Sequence, residues 1–321
     1  MTLASERVLM TGATGFIGHM LCASLTEAGY RVRAALRGAA NAPASAECVV
    51  VGDIGPQTDW ERALGGSEFV VHLAARAHVL GDRGQDARRY LETNAEGTGR
   101  LAREAARLGV RRMVYLSSVK VNGEGRAGRG YTSSDEPDPQ DAYGCSKWQG
   151  ERLLAEAAAG SALEHVTVRA PLVYGPGVRG NFLRLLRRVD REGIFPLGSV
   201  RNERSLVSVW NLCDLLVRTL QSPAAAGGTW MVSDGDDIST VELVRRLAAL
   251  LGRRARVVAV PLPLLRLTAA LLGRSGEVRR LSGSLKVDIT QTREQLQWSP
   301  PVLLQDSLAR TVEWYRRQPE S

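Results

Sequence analysis

The sequence predicts an α/β protein: a doubly wound parallel sheet covered by helices, followed by a smaller mixed α/β lobe. Three observations predict it. The first half alternates short strand-like runs with helix-like segments, the pattern of parallel strands joined by crossover helices. A glycine turn, Thr11-Gly-Ala-Thr-Gly-Phe-Ile-Gly18, joins the first strand-like run to the first helix-like one. After about residue 172 the alternation gives way to short segments broken by prolines and glycines.

In order along the chain, Arg7 to Met10 reads as the first strand and Phe16 to Ala28 as a helix stopped by Gly29. Arg31 to Leu36, Cys48 to Val51 and Phe69 to Leu73 are apolar runs of strand length. Ala95 to Arg107 reads as a helix that stops at Leu108-Gly109, and Arg112 to Leu116 as the fifth strand. The polar, Gly/Asp/Pro-rich stretch Glu124 to Gln140 reads as a mobile loop beside the site. Tyr143 to Ala158 is a helix and Val166 to Arg169 the sixth strand. Right-handed crossovers stack these strands into one sheet. Beyond them, helices are expected at Phe182 to Glu192, Trp210 to Gln221 and Thr240 to Gly252. The expected division is residues 1–172 and 173–321, interleaved because the chain crosses between lobes more than once.

Composition narrows the class. The 321 residues are 44% hydrophobic and 24% charged, ordinary for a soluble globular protein with ample material for a core. No signal peptide is read. The longest apolar stretch, Pro261 to Gly273, contains Arg266 and is too short to span a bilayer, so stable membrane insertion is not expected. The net charge of +8 comes from arginines spread along the chain, without a basic run interleaved with aromatics. It suits anionic ligands such as phosphates rather than nucleic acid. Cys22, Cys48, Cys145 and Cys213 show neither metal-ligand spacing nor pairing, which reads as reduced thiols in a cytoplasmic protein. Cys145 is read as packing; His78 and His165 are read as structural. No metal site is expected.

The chemistry-bearing residues stand out by contrast. Of 42 Lys+Arg only three are lysine: Lys120, Lys147 and Lys286. Lys147 follows Tyr143 by four residues, so the two share one helix face, with Ser117-Ser118 upstream. A Tyr/Lys pair with a serine suits proton transfer during hydride transfer to or from a nicotinamide. In the glycine turn, Gly12 permits the bend, Gly15 a close approach to a pyrophosphate and Gly18 helix-to-strand packing. The helix opening at Phe16 offers its N-terminal amides to the phosphates. Together they predict a Rossmann-type dinucleotide domain. Asp53, after the third strand, is placed to accept from an adenine amino group. The end of the second strand, Arg33-Ala-Ala-Leu36-Arg37, carries no acid, and Arg37 points to NADP(H) over NAD(H).

As a set these motifs resemble the extended short-chain dehydrogenase/reductases, the NAD-dependent epimerase/dehydratase family, and its nucleotide-sugar branch. The resemblance runs through the glycine turn, His72-Leu-Ala-Ala75, Asn94, Leu116-Ser-Ser118, the Tyr143/Lys147 pair and Arg169-Ala-Pro-Leu-Val-Tyr-Gly-Pro-Gly177. Ser118 to Glu124 and Asn202-Glu-Arg-Ser-Leu206 are similar to stretches of the UDP-N-acetylquinovosamine-forming 4-ketoreductases. The resemblance implies Ser118, Tyr143 and Lys147 as the catalytic triad. It implies Gly12, Gly15, Phe16, Ile17, Gly18, Asp53, Ile54, Leu73, Ala74, Ala75 and Asn94 on the cofactor side, with Val173 near the nicotinamide. Asn181, Arg204 and Arg280 match positions that hold a sugar-nucleotide diphosphate. Family dehydratases carry an Asp-Glu pair after the serine; here Val119 and Lys120 stand there, so the chemistry is expected at C4 alone, with Lys120 contacting a substrate oxygen or steadying the developing alkoxide.

The expectation is an NADPH-dependent reductase of a UDP-4-keto-6-deoxy-N-acetylhexosamine, serving surface polysaccharide synthesis. The alternative is a UDP-hexose or UDP-N-acetylhexosamine 4-epimerase with tightly bound NAD. Lys147 is expected to lower the Tyr143 phenol pKa by favouring the phenolate. The resemblance also implies a homodimer formed through two helices of the first lobe, near Ala95–Arg107 and Tyr143–Ala158.

Overall fold

The computed structural model describes residues 6–38, 43–77, 85–126, 128–271 and 282–318. The predicted substrate contact Arg280, with its neighbour Arg279 and with His78, lies outside the described residues.

The first half builds β1 (Arg7–Thr11), α1 (Phe16–Glu27), β2 (Arg31–Leu36), β3 (Glu47–Val50), α2 (Glu61–Leu64), β4 (Phe69–His72) and α3 (Gln85–Tyr90). A π-helical turn (Leu91–Glu96) then leads into α4 (Gly97–Arg107), followed by β5 (Arg112–Ser118), a 3-10 turn (Val119–Val121), α5 (Ala142–Ala158) and β6 (Glu164–Ala170). The second half adds β7 (Leu172–Tyr174), α6 (Gly180–Asp190), β8 (Ile194–Phe195), β9 (Arg204–Ser208), α7 (Val209–Gln221), β10 (Thr229–Met231) and β11 (Asp237–Ile238). It closes with α8 (Thr240–Leu251), β12 (Arg256–Val257), α9 (Leu262–Leu271), α10 (Thr290–Leu296) and α11 (Leu304–Arg316).

The main sheet has seven strands in the order β10-β6-β5-β4-β1-β2-β3, all parallel. Strand order reverses between β1 and β4, so the loops leaving those two strands flank the switch point where open α/β sheets bind ligands. The register pairs Thr11 with His72, and His72 with Tyr115, which brings the ends of β1, β4 and β5 level. Both faces of the sheet are covered, which is why the strands read as near-continuous apolar runs: β2 buries five of its six residues. On one face Val8, Met10, Leu21, Leu25, Leu212 and Leu216 pack together, with α1 lying along α7. On the other, Leu9, Val70 and Met113 meet Leu101, Ala105 and Leu154 of α4 and α5.

A third core, around Phe182, Leu186, Leu243, Leu247 and Leu308, holds α6, α8 and α11 together. Two small sheets accompany it. In one, β9 pairs parallel with β7 and antiparallel with β11; in the other, β8 pairs parallel with β12. Phe16 packs against both this core and the first one. The helix ends are chemically specified: Ser239 caps α8 by accepting from Glu242 N at 3.0 Å, and Gly252 ends it at φ +69°.

Two elements differ from expectation near the site. The helix expected from Ala95 is preceded by the π-helical turn, and β5 runs two residues further, to Ser118. The 124–140 segment is tied down by Arg126, which lies over the Tyr131 ring and pairs with Asp135 at 2.5 Å, and by the bridge from Tyr131 to Val287.

Candidate active site

The glycine turn is set by close approach. Gly12 sits at φ +73°, and a Cβ on Gly18 would lie 2.1 Å from the Gly12 carbonyl oxygen. No side chain caps the N-terminus of α1, so its first-turn amides have no capping side chain to accept from them. Thr11 ties the turn to the loop after β4: its hydroxyl accepts from Ala74 N at 3.1 Å and lies 2.7 Å from His72 Nδ1. His72 Nε2 lies 3.0 Å from the Thr98 hydroxyl, which itself donates to the Asn94 carbonyl at 2.8 Å. That direction fixes the tautomer: Nε2 carries the hydrogen and Nδ1 accepts from Thr11. Burial, aided by the charge of Lys147, pushes His72 down to about 3 and keeps it neutral.

Asn94, in the π-helical turn, links this loop to α5. Its Oδ1 accepts from Arg76 N at 2.7 Å, and its Nδ2 donates to Arg76 O and to Ser146 Oγ, both at 3.0 Å. Ser146 in turn donates to the Tyr143 carbonyl at 2.8 Å. A continuous run of hydrogen bonds therefore joins Thr11, beside the glycine turn, to the turn of α5 that bears Tyr143 and Lys147.

Tyr143 is half-buried, edge-on to Tyr90 with centroids 6.1 Å apart. Burial, reinforced by the charge of Asp141, pushes its phenol up to about 12; a hydrogen bond with the Ser118 side chain works the other way. Lys147 is 1% exposed, with Nζ 4.0 Å over the Tyr115 ring. Burial pulls its ammonium down to about 7, and Glu151, one helical turn on, draws it back up. The expected acidification of Tyr143 by Lys147 is thus corrected for this state. Desolvation is the largest influence on both groups, and it favours the neutral phenol and the neutral amine.

Behind Lys147, Glu151 is gripped by Arg169 at 2.6 and 3.0 Å and accepts from Ser117 Oγ at 2.5 Å. Sequence reading missed this group, although the 143/147/151 spacing places all three on one helix face. It also missed Asp141, the N-cap of α5, whose signal is an acid just before the helix.

The remaining predicted residues fall as follows. Leu73 and Ala74 lie against Gly12, Ala75 follows them in the same loop, and Ile54 packs at Gly97 beside the π-helical turn. Ile17 and Val173 pack against the first core. Asp53, expected to meet adenine, pairs with Arg37 at 2.7 Å, both strongly exposed. Arg204 donates to the Gly283 carbonyl at 3.1 Å, and burial lowers its guanidinium while Glu124 raises it. Asn181 stands exposed at the start of α6, accepting from Arg184. Lys120 is held by two carboxylates, Glu124 at 2.7 Å and Asp141. Cys145, read as packing, is exposed instead, since its helix position turns away from the sheet. Among the described residues no cluster of three or more His, Cys, Asp or Glu is placed to hold a metal ion, and no helix is long and apolar enough to cross a membrane.

Comparison with known proteins follows the same lines. The chain is 43% identical over 312 residues to the UDP-glucose 4-epimerase of Vibrio cholerae, covering 96% of this chain and 95% of that one. Its fold superposes with a TM-score of 0.80 on a UDP-glucose 4-epimerase of Thermotoga maritima, 24% identical, covering 97% of this chain and 99% of the other. It superposes with 0.79 on MoeE5 in complex with UDP-glucuronic acid and NAD, 29% identical and with the same coverage. The model of the family described as NAD dependent epimerase/dehydratase matches residues 8–233, well over half of the chain. The chain belongs to the NAD dependent epimerase/dehydratase family.

Proposed function

We propose that this protein is a 4-epimerase of a UDP-hexose or UDP-N-acetylhexosamine, working with bound NAD. The observation that carries the reading is the run of hydrogen bonds from Thr11 through His72, Thr98, Asn94 and Ser146 to Tyr143. It gives a dinucleotide-type turn and a proton-transfer pair a common frame. The 43% identity to a UDP-glucose 4-epimerase over nearly the whole chain favours epimerisation over net reduction.

The residues present fit the cofactor. The tight Gly12–Gly18 approach leaves backbone rather than side chain at the mouth of the turn, and the uncapped start of α1 suits a pyrophosphate. Gly12, Gly15, Phe16 and Ile17 would hold the phosphates, Asp53 and Ile54 the adenine end, and Leu73, Ala74, Ala75, Lys147 and Val173 the nicotinamide riboside. When bound, the nicotinamide supplies a hydride acceptor, then a hydride donor, at sugar C4. As its phenolate, Tyr143 takes the C4 hydroxyl proton when the C4–H bond breaks, and the phenol so formed returns it when the 4-keto sugar is reduced from its other face, so nothing is gained or lost overall. Ser118 hydrogen-bonds the C4 oxygen and keeps it against Tyr143. Lys147, when protonated, favours the phenolate. Asn181 and Arg204 would engage the diphosphate.

A second reading, an NADPH-dependent 4-ketoreductase, rests on Arg37 and the missing acid at the end of β2. An exposed ion pair such as Arg37–Asp53 is worth about 0–1 kcal/mol, so a 2′-phosphate could displace it. The two readings separate cleanly. Protein purified without added nucleotide is denatured and its released cofactor identified by mass spectrometry, while NMR follows UDP-glucose and UDP-N-acetylglucosamine. Retained NAD with interconversion at C4 is expected. Empty protein that consumes NADPH with a 4-keto sugar overturns the epimerase reading.

A further inference from the structure

Lys120, which the sequence marks as one of three lysines, sits where the Ser118 turn meets the start of α5. Its backbone N–H donates to Ser118 Oγ at 3.3 Å, and its Nζ donates to Glu124 Oε1 at 2.7 Å and to Asp141 Oδ2. The other oxygen of Asp141, Oδ1, accepts from Gly144 N at 2.7 Å and so caps α5. The carbonyl of Lys120 abuts the same turn: a Cβ on Gly144 would lie 2.8 Å from it. One residue thus touches the Ser118 turn through its amide, the first turn of α5 through its carbonyl, and the cap of α5 through its ammonium.

We propose that Lys120 is a positioning residue for the reaction, clamping the Ser118 turn to the first turn of the Tyr143 helix and screening the phenol from the Asp141 carboxylate. The catalytic part rests on the reading of Ser118 and Tyr143 above; the clamp itself rests on the contacts alone. Asp141 and Glu124 face Lys120, and Glu124 also faces Arg204. Tyr143 is faced by Asp141 and Tyr90, with Arg76 lying 6.0 Å from the Tyr90 ring. Lys147 lies with its Nζ 4.0 Å over the Tyr115 ring. Burial works against the Lys120 ammonium, but Asp141 and Glu124 together outweigh it and hold its pKa above the usual lysine value. It stays a cation across the working pH range, which a screening charge requires.

The test uses the full-length enzyme with its cofactor, in Lys120→Met, Lys120→Arg, Asp141→Asn and the Lys120→Met/Asp141→Asn double variant. Removing the countercharge should make the phenolate harder to form. The rising limb of the kcat–pH profile should therefore move up by about one unit in Lys120→Met, about tenfold in rate at a fixed pH on that limb. KM for the UDP-sugar should stay within about twofold, since uniform binding is untouched. Lys120→Arg should recover most of the rate. The double variant should return the limb towards wild type, and Asp141→Asn alone should move it down, because asparagine still caps the helix. Amide hydrogen exchange of the peptide spanning 141–147 gives a readout that needs no turnover. It should speed up in Lys120→Met while the first turn of α8 is unchanged. If wild type turns over no UDP-sugar, the proposed function fails and exchange still decides the clamp. Unchanged exchange and an unchanged profile in Lys120→Met overturn the inference, as does a raised KM with intact kcat, the mark of a substrate contact. Should Lys120→Met not fold, Asp141→Asn decides: a limb that does not move down overturns the screening role.

Discussion

The Glu151–Arg169 pair makes the sharpest quantitative test of how the site is built. Its side chains are 5% and 3% exposed, and each carboxylate oxygen is engaged. Glu151→Gln keeps the shape and one acceptor but removes the charge, leaving the buried Arg169 guanidinium without its countercharge, beside the retained amide oxygen and Asn122 at 3.3 Å. Breaking a buried pair on one side costs about 3–5 kcal/mol; the retained amide places this variant near the lower end, ~3 kcal/mol. At about 2 °C per kcal/mol for a chain of this size, its Tm should fall by about 6 °C. Glu151→Leu with Arg169→Met should sit within about 2 kcal/mol of wild type, because no charge is then stranded. Chemical denaturation of the three proteins gives the cycle. The reasoning is refuted if Glu151→Gln stays within about 1 kcal/mol of wild type, or if the apolar pair is as unstable as the single change. The apolar pair should still lose activity at neutral pH. Lys147 would no longer have the carboxylate that holds its ammonium up against burial.

Three further outcomes are expected. Tyr143→Phe should lower kcat by about 10²–10⁴ with an unchanged circular dichroism spectrum, the range for losing a proton-transfer group. Gly18→Val should abolish NAD binding by calorimetry, since its Cβ meets backbone atoms 2.1 and 2.7 Å away that cannot yield without moving the turn. Lys147→Met should be more stable than wild type below pH 7. The ammonium's pKa is about 7 in the fold against an ordinary 10.5, so folding penalises the protonated form, by on the order of 5 kcal/mol. The unfolded chain binds the extra proton between those values. Wild-type stability therefore rises as pH climbs from 7 to 10.5, and the gap between the two proteins closes over that window. A gap that is constant with pH in denaturant melts rules this out.

Most of the sheet and the helix that carries both Tyr143 and Lys147 were legible because they rest on local signals: apolar runs of strand length, glycines at fixed offsets, and a four-residue helical spacing. The π-helical turn was not, because Leu91–Glu96 carries no composition that separates it from ordinary helix; it is set by Asn94 reaching both Arg76 and Ser146. The ion pairs of Lys120 were not legible for a similar reason. Its partners lie four and twenty-one residues away, and only the folded loop brings both carboxylates to one ammonium. The direction of the Tyr143 shift failed because charge proximity can be read from spacing, whereas desolvation depends on burial created by distant elements.

The outermost strand of the large sheet, β10, arrives from residues 229–231 and pairs with β6 from Thr167 to Arg169. Trp230 and Met231 are almost wholly shielded there. A fragment ending near residue 172 would strip that cover, leaving β6 with a bare row of backbone donors and acceptors beside newly wetted apolar side chains. Such an edge templates strand addition by other copies. The two halves of the gene product therefore have to be made together, and an attempt to express the front half alone should yield inclusion bodies rather than a minimal nucleotide binder.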